Sequence, residues 1–107
     1  MDNQHRKIKG YRELSQEEVD LMNAIKTKGA ELLELQAQLV ESLSKQHREK
    51  KWAANLVENG SHHDRGQIEE LERFEAAEPM RWASIGKTDI QTGIMALVRA
   101  VAQPAGV

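Results

Sequence analysis

Apolar side chains recur at steps of three and four residues along the first half of the chain. One row of this kind contains Met22, Ile25, Leu32, Leu39 and Leu43, with Gly29 and Gln36 at the intervening positions. Such spacing is typical of one face of an α-helix. Leu33, Leu35 and Val40 widen the apolar face, so we expect this helix to be covered on more than one side.

The start of this helix is marked by the sequence Ser15-Gln16-Glu17-Glu18. It is a capping box, in which the Ser15 hydroxyl accepts from the Glu18 amide and the Glu18 carboxylate reaches back to the Ser15 amide. The next stop signal is Asn59-Gly60. The sequence therefore predicts a first helix over residues 15–58, roughly 65 Å long at 1.5 Å per residue. A compact domain of this size has a radius of gyration of only about 13 Å, so the helix must pack against a second long helix or other chains.

Helical spacing returns after a polar turn at residues 59–64, with Ile68, Leu71 and Phe74 on one side. Pro79 interrupts the pattern because proline lacks an amide donor and clashes with the preceding turn, and Pro104 ends it. The second helix is thus expected over residues 65–103, broken near residue 79. No segment alternates with period two for long enough to suggest a strand. We predict an all-α fold in which residues 1–107 form one domain, a long antiparallel helical hairpin with a basic N-terminal arm at residues 1–14.

Composition limits what such a hairpin can do. Of 107 residues, 39% are hydrophobic and only four are aromatic, so a lone monomer would have a thin core. Two helices would leave apolar surface exposed, which favours association of several copies. The chain has no cysteine, which excludes disulfides and thiol catalysis. No apolar run reaches the length of a membrane span and no signal peptide is evident, so we expect a cytoplasmic protein without a membrane partner.

Charge is distributed in blocks although the formal net charge is only −2. Residues 1–12 carry +3, residues 13–44 carry −5, and residues 81–107 carry +2. A near-neutral total argues against binding of a nucleic-acid polymer. The two basic ends are the places where a small anion would bind.

No catalytic set can be assembled from the sequence. Gly86-Lys87-Thr88 resembles the end of a phosphate-binding loop, but Arg81 stands where that motif requires glycine. His62 and His63 are adjacent in the predicted turn and point in different directions, which does not suit a metal site. We therefore expect a binding protein that is not an enzyme and that uses neither metal nor cofactor.

Two groups of polar residues are candidates for anion binding. Tyr11 lies in the basic arm between Gly10 and Arg12, where its ring could stack on a base while Arg12 or a lysine neutralises a phosphate. Packing of Tyr11 on the hairpin is an equal alternative. On the last helix, one broad polar side carries donors suited to phosphate oxygens: Arg81, Ser84, Thr88, Gln91 or Thr92, and Arg99, with Lys87 next to it. An ordinary solvated helix face is the alternative there.

Two stretches of the chain resemble the phage anti-CBASS sponge family. The first is His5-Arg6-Lys7-Ile8-Lys9-Gly10-Tyr11-Arg12-Glu13-Leu14, continuing through residues 20–26, and the second runs from Arg81-Trp82 to Gln103-Pro104. The resemblance covers residues 1–44 and 78–104. It implies small helical proteins that assemble as homo-hexamers and sequester the cyclic oligonucleotide messengers of bacterial CBASS immunity without cleaving them. A related sponge family antagonises Thoeris signalling.

The resemblance also implies site residues and partners. Cyclic dinucleotides such as 3′,3′-cyclic GMP-AMP are expected between neighbouring N-terminal regions, at Tyr11, Lys26, Arg12 and Gly10. Cyclic trinucleotides are expected in a separate pocket where three protomers meet, at Thr88, Lys87, Ser84 and Arg81. Action would take place in the host bacterial cytoplasm. A coiled-coil structural or scaffold protein of a phage remains the alternative function, and a cyclic-nucleotide phosphodiesterase is a third.

Overall fold

The described residues of the computed structural model, 12–58 and 65–105, are helical with short connections. Helix α1 spans Gln16–Glu58, α2 spans Gly66–Ala77 and α3 spans Pro79–Ala102. The described ranges contain no strand, and the all-α prediction is confirmed. The predicted turn at residues 59–64, with its Asn59-Gly60 stop signal, lies outside the described residues.

Within the single domain that the sequence predicts, the structure forms two compact units. One comprises Met1–Leu33 with Thr88–Val107, and the other comprises Glu34–Lys87. In the second unit α1 runs antiparallel to the helices that follow it, since Gln36 bonds to Ala83 while Lys50, farther along α1, pairs with Glu70. The helical-hairpin prediction is confirmed by this pairing.

The Glu34–Lys87 unit is organised around Phe74. This ring is buried with Leu43 and Ala83, and Val40 packs against the cluster. The His47 ring stacks on Phe74 at 5.5 Å between centroids, and the Lys50 ammonium lies 5.7 Å from the same ring. Leu43 of α1, Phe74 of α2 and Ala83 of α3 thus form the core cluster of this unit.

The junction of α2 and α3 depends on two adjacent residues. Glu78 adopts the left-handed conformation, with φ 50° and ψ 51°, and its amide donates to Glu75 O. Pro79 then occupies the first position of α3, where a missing amide donor costs nothing because that group has no partner within the helix. The chain therefore turns at Glu78 and resumes as a helix at once.

The unit of Met1–Leu33 and Thr88–Val107 contains a close contact between α1 and α3. Gly29 is buried, and Ile94 occupies the space that a side chain at residue 29 would need. Beside this contact lies an open apolar groove of about 440 Å³, lined by Ala24, Ile25, Leu32, Ile90 and Leu97 among others. Among the helices over 12–58 and 65–105, none has the length and hydropathy needed to cross a membrane.

Candidate functional site

The N-terminus of α1 is fixed by the hydrogen bonds that the sequence predicts. The Ser15 amide donates to Glu18 Oε1 at 2.9 Å, and the Glu18 amide donates to Ser15 Oγ at 3.1 Å. Both bonds satisfy amides that would otherwise lack a partner at a helix start. The capping box therefore sets where the N-terminal arm ends and α1 begins.

Arg12 forms hydrogen bonds both to the first turn of α1 and to the last turn of α3. Its Nη2 donates to Glu18 Oε2 at 2.6 Å and to Val101 O at 2.7 Å, and its Nε donates to Ala102 O at 3.1 Å. Carbonyls in the last turn of a helix have no partner within it and carry partial negative charge, so a guanidinium is favourable there. A second bond to Glu18 is longer, from Nη1 to Oε1 at 3.4 Å.

The carboxylate of Glu18 is held in its charged form by these contacts. Hydrogen bonding from Arg12, followed by bonding from the Ser15 amide, lowers the pKa of Glu18 from 4.5 to about 2. Three donors face this one carboxylate, namely Arg12 Nη1, Arg12 Nη2 and the Ser15 amide, and they favour its charged form. Arg12 and Glu18 neutralise each other, so Arg12 provides little uncompensated positive charge at this point.

The other residues expected to bind a cyclic dinucleotide fall in two places. Tyr11 and Gly10 lie outside the described residues. Lys26 lies on α1 with its side chain exposed, and it has no ion pair with another residue of the described chain. Lys28, two residues farther on, is instead 3.5 Å from Glu31. Lys26 is thus a cation that can still engage a phosphate.

The four residues expected to bind a cyclic trinucleotide all lie on α3 and are exposed. Arg81 is engaged locally, with its Nη1 3.3 Å from a Glu78 oxygen and its guanidinium 5.3 Å from the Trp82 ring centroid. Ser84 and Lys87 belong to the same compact unit as Arg81, whereas Thr88 belongs to the other. Ser84, Lys87 and Thr88 have no side-chain hydrogen bond or ion pair to another part of the described chain.

Metal-binding chemistry has little support in the described residues. Over 12–58 and 65–105, no group of three histidine, aspartate or glutamate side chains is placed to hold an ion. His62, His63 and Asp64 fall outside those ranges. His47 lies 2.9 Å from Glu75 and stacks on Phe74, a structural arrangement that uses its ring nitrogen and its face.

Two features of the site could not be read from the sequence. Glu18 was expected only as a helix cap, and its second bond, to Arg12, follows no helical spacing. Trp52 was counted only as one of four aromatics, yet its side chain is 67% exposed. The basic residues Arg48, Lys50 and Lys51 precede it, and this basic run is the feature of the sequence that points to a role in binding.

Comparison with known proteins finds similarity along nearly the whole length of the chain. A family model described as "Acb2/Tad1, hairpin domain" matches residues 3–102. The chain is also 59% identical over 107 residues to Anti-CBASS protein 2 of Pseudomonas phage JBD67, with 99% of both chains covered. The match therefore includes the segments on which every candidate residue lies.

Proposed function

This chain belongs to the Acb2/Tad1 hairpin-domain family, and on that premise we propose that it suppresses CBASS by sequestering cyclic oligonucleotides. The observation that supports this proposal most strongly is the 59% identity to an anti-CBASS protein over 99% of both chains. The proposed setting is the cytoplasm of a bacterium infected by a phage. The proposed ligands are cyclic dinucleotides, such as 3′,3′-cyclic GMP-AMP, and cyclic trinucleotides.

The charge of the chain suits small cyclic anions. A cyclic dinucleotide carries two negative charges and two planar bases, so a pocket needs a few cations and a stacking ring. A net charge of −2 with basic ends meets this need, whereas a polymer would require a broad basic surface. Sequestration also needs no acid, base or nucleophile, and we propose that the ligand is released intact.

For the dinucleotide site we propose different roles for the two described cations. Lys26 neutralises phosphate, because it is exposed and has no ion pair among residues 12–58 and 65–105. Arg12 is a positioning residue, because its guanidinium is bound to Glu18 and to the end of α3. Tyr11, which directly precedes this anchored residue, provides the stacking ring, and Gly10 precedes it without a side chain.

For the trinucleotide site we propose Thr88, Lys87, Ser84 and Arg81 on α3. The Ser84 and Thr88 hydroxyls and the Lys87 ammonium can donate to phosphate oxygens. Arg81 would first have to leave Glu78, to which it is bound at 3.3 Å, so we expect the smallest contribution from it.

We propose that the chain acts as a homo-oligomer, with a hexamer as the expected state. Large apolar side chains are exposed on the single chain, including Leu21, Leu35 and Met95 at more than half of their surface. The apolar groove beside Gly29 adds to this surface. Association with further copies would remove such patches from water, and light scattering coupled to gel filtration measures the resulting mass.

Calorimetric titration with 3′,3′-cyclic GMP-AMP and with a cyclic triadenylate tests the proposal. Tyr11→Ala should weaken dinucleotide binding by about 5- to 150-fold, since base stacking is worth roughly 1–3 kcal/mol. Lys26→Ala should weaken it as well, whereas the matched control Lys28→Ala should not. Thr88→Ala should affect only the trinucleotide.

Several outcomes would contradict the proposal. Absence of binding to every cyclic oligonucleotide, with formation of filaments instead, would favour a structural phage protein. Recovery of linear products after heating the complex would indicate a phosphodiesterase. Equal losses for both ligands in Thr88→Ala would contradict two separate pockets.

A further inference from the structure

The last turns of α1 present an exposed aromatic side chain among cations. Trp52 is 67% exposed. Arg48, Lys51 and Asn55, which lie one helical turn or less from it, are exposed as well. Residues three and four apart are neighbours on a helix, so these four form one surface, which we call the Trp52 face. It lies within the Glu34–Lys87 unit, on other residues than those proposed above.

A cleft of about 240 Å³ opens beside this face. Lys51, Trp52, Ala54 and Asn55 of α1 line it, together with Leu71 of α2. Ala54 is almost fully buried, so its small side chain forms part of the floor of the cleft. The cleft is smaller than the 300 Å³ or more that is typical of sites for drug-sized ligands.

The cations of the Trp52 face are available to a ligand. Lys50 is 3.0 Å from Glu70, and Lys45 is 4.0 Å from Glu49. Arg48 and Lys51 form no such pair with another residue of 12–58 or 65–105. Glu70 and Glu72 flank Leu71 on α2, and Glu70 is already engaged by Lys50 and by Arg73 at 2.7 Å. The charges of Arg48 and Lys51 are therefore not neutralised by a paired acid next to the exposed indole.

We propose that the Trp52 face is a binding site for a nucleoside phosphate. The base stacks on the Trp52 indole, as bases do on exposed aromatic side chains of single-strand binding proteins. Arg48 and Lys51 neutralise the phosphate, with the guanidinium able to form two parallel bonds. The Asn55 amide carries both a donor and an acceptor for the edge of the base.

The site is independent of the sequestration proposed above, because it involves neither Tyr11 nor α3. Its ligand is a single nucleoside monophosphate unit, either free or as one member of a larger oligonucleotide. The two sources share the same chemistry of base and phosphate. A competition experiment between a free mononucleotide and a cyclic oligonucleotide shows which of the two sources occupies the site.

Tryptophan fluorescence in a Trp82→Phe background provides the test, since Trp52 is then the sole tryptophan. AMP and GMP should quench it saturably, whereas adenosine and ribose 5-phosphate should bind at least tenfold more weakly. Arg48→Gln and Lys51→Gln should each weaken binding several-fold and reduce its salt dependence. Lys45→Gln, which removes a neighbouring cation that is paired with Glu49, is the matched control and should change affinity less than twofold.

Calorimetry on the chain with its native tryptophans completes the experiment. Trp52→Ala should abolish binding of AMP, whereas Tyr11→Ala and Thr88→Ala should retain it, so failure here is distinct from failure of the sequestration proposal. Absence of AMP and GMP binding at millimolar concentration would overturn the inference. A lower oligomer mass in Trp52→Ala, with no response of Trp52 to nucleotide, would overturn it in favour of a contact between copies.

Discussion

Replacement of Gly29 by alanine has two opposing effects on the free energy of unfolding, and the size of each is known. Alanine in place of a helical glycine stabilises a helix by about 1 kcal/mol. At this position, however, the added Cβ would lie 2.7 Å from Ile94 Cγ1, whereas carbon atoms in contact prefer roughly 3.5–4.0 Å. The outer methyl of Ile94 can rotate away, but Cγ1 is bonded to Cβ and its rotamer is restricted in a helix. Overpacking of this kind costs about 1–3 kcal/mol.

The expected result is a decrease in the free energy of unfolding by about 1 kcal/mol, since a cost near 2 kcal/mol exceeds a gain near 1 kcal/mol. Urea unfolding followed by circular dichroism measures it, at one protein concentration because association also contributes to stability. Gly86→Ala is the matched control. Gly86 likewise lies within a helix, α3, and a Cβ there meets no neighbouring atom within 4 Å, so the substitution should raise stability by about 1 kcal/mol.

A double-mutant cycle isolates the steric contribution. In an Ile94→Ala background the obstructing atoms are gone, and Gly29→Ala should then be stabilising, like Gly86→Ala. If Gly29→Ala in the native background raised stability as much as Gly86→Ala does, the close contact of α1 with α3 would not exist in solution, and the reasoning would be refuted.

Two further predictions concern Arg12 and its partner. Glu18 has a pKa lowered from 4.5 to about 2 in the folded chain, so its contribution to stability is complete above pH 4.5 and is lost as pH falls through about 2. Glu18→Gln should therefore flatten acid unfolding in that window, measured by circular dichroism, and an equal change in Glu17→Gln would count against the assignment. Arg12→Lys keeps the charge but loses the planar fork, so dinucleotide affinity should fall about tenfold with an unchanged salt dependence; a reduced salt slope would mean that Arg12 contacts phosphate directly.

Local signals in the sequence were sufficient for the helical fold. The capping box needs only Ser15 and Glu18, three residues apart, and both of its hydrogen bonds are present. Apolar spacing of three and four likewise depends on neighbours within two turns. Such signals identify helices and their starts because the interactions that carry them are formed within a few residues.

Contacts between residues far apart in the sequence could not be predicted from such local signals. Arg12 bonds to carbonyls 89 and 90 residues away, and backbone carbonyls carry no mark in a sequence. Gly29 stands in the apolar row, yet nothing in the sequence says that Ile94 fills the space beside it. The roles of Tyr11, Lys26 and Thr88 follow from family resemblance and stay predictions, because local sequence does not specify where a ligand is held.

The long sequence separation between Arg12 and Ala102 affects the order in which parts of the chain fold. In the Glu34–Lys87 unit, His47 and Glu75 are separated by 28 residues, whereas Arg12 and Ala102 are separated by 90. Closing the longer loop costs about 1 kcal/mol more in chain entropy. During synthesis, moreover, Ala102 leaves the ribosome after the residues around Phe74, which are by then free to pack. The Glu34–Lys87 unit can therefore form on the nascent chain before Arg12 bonds to the carbonyls at the end of α3.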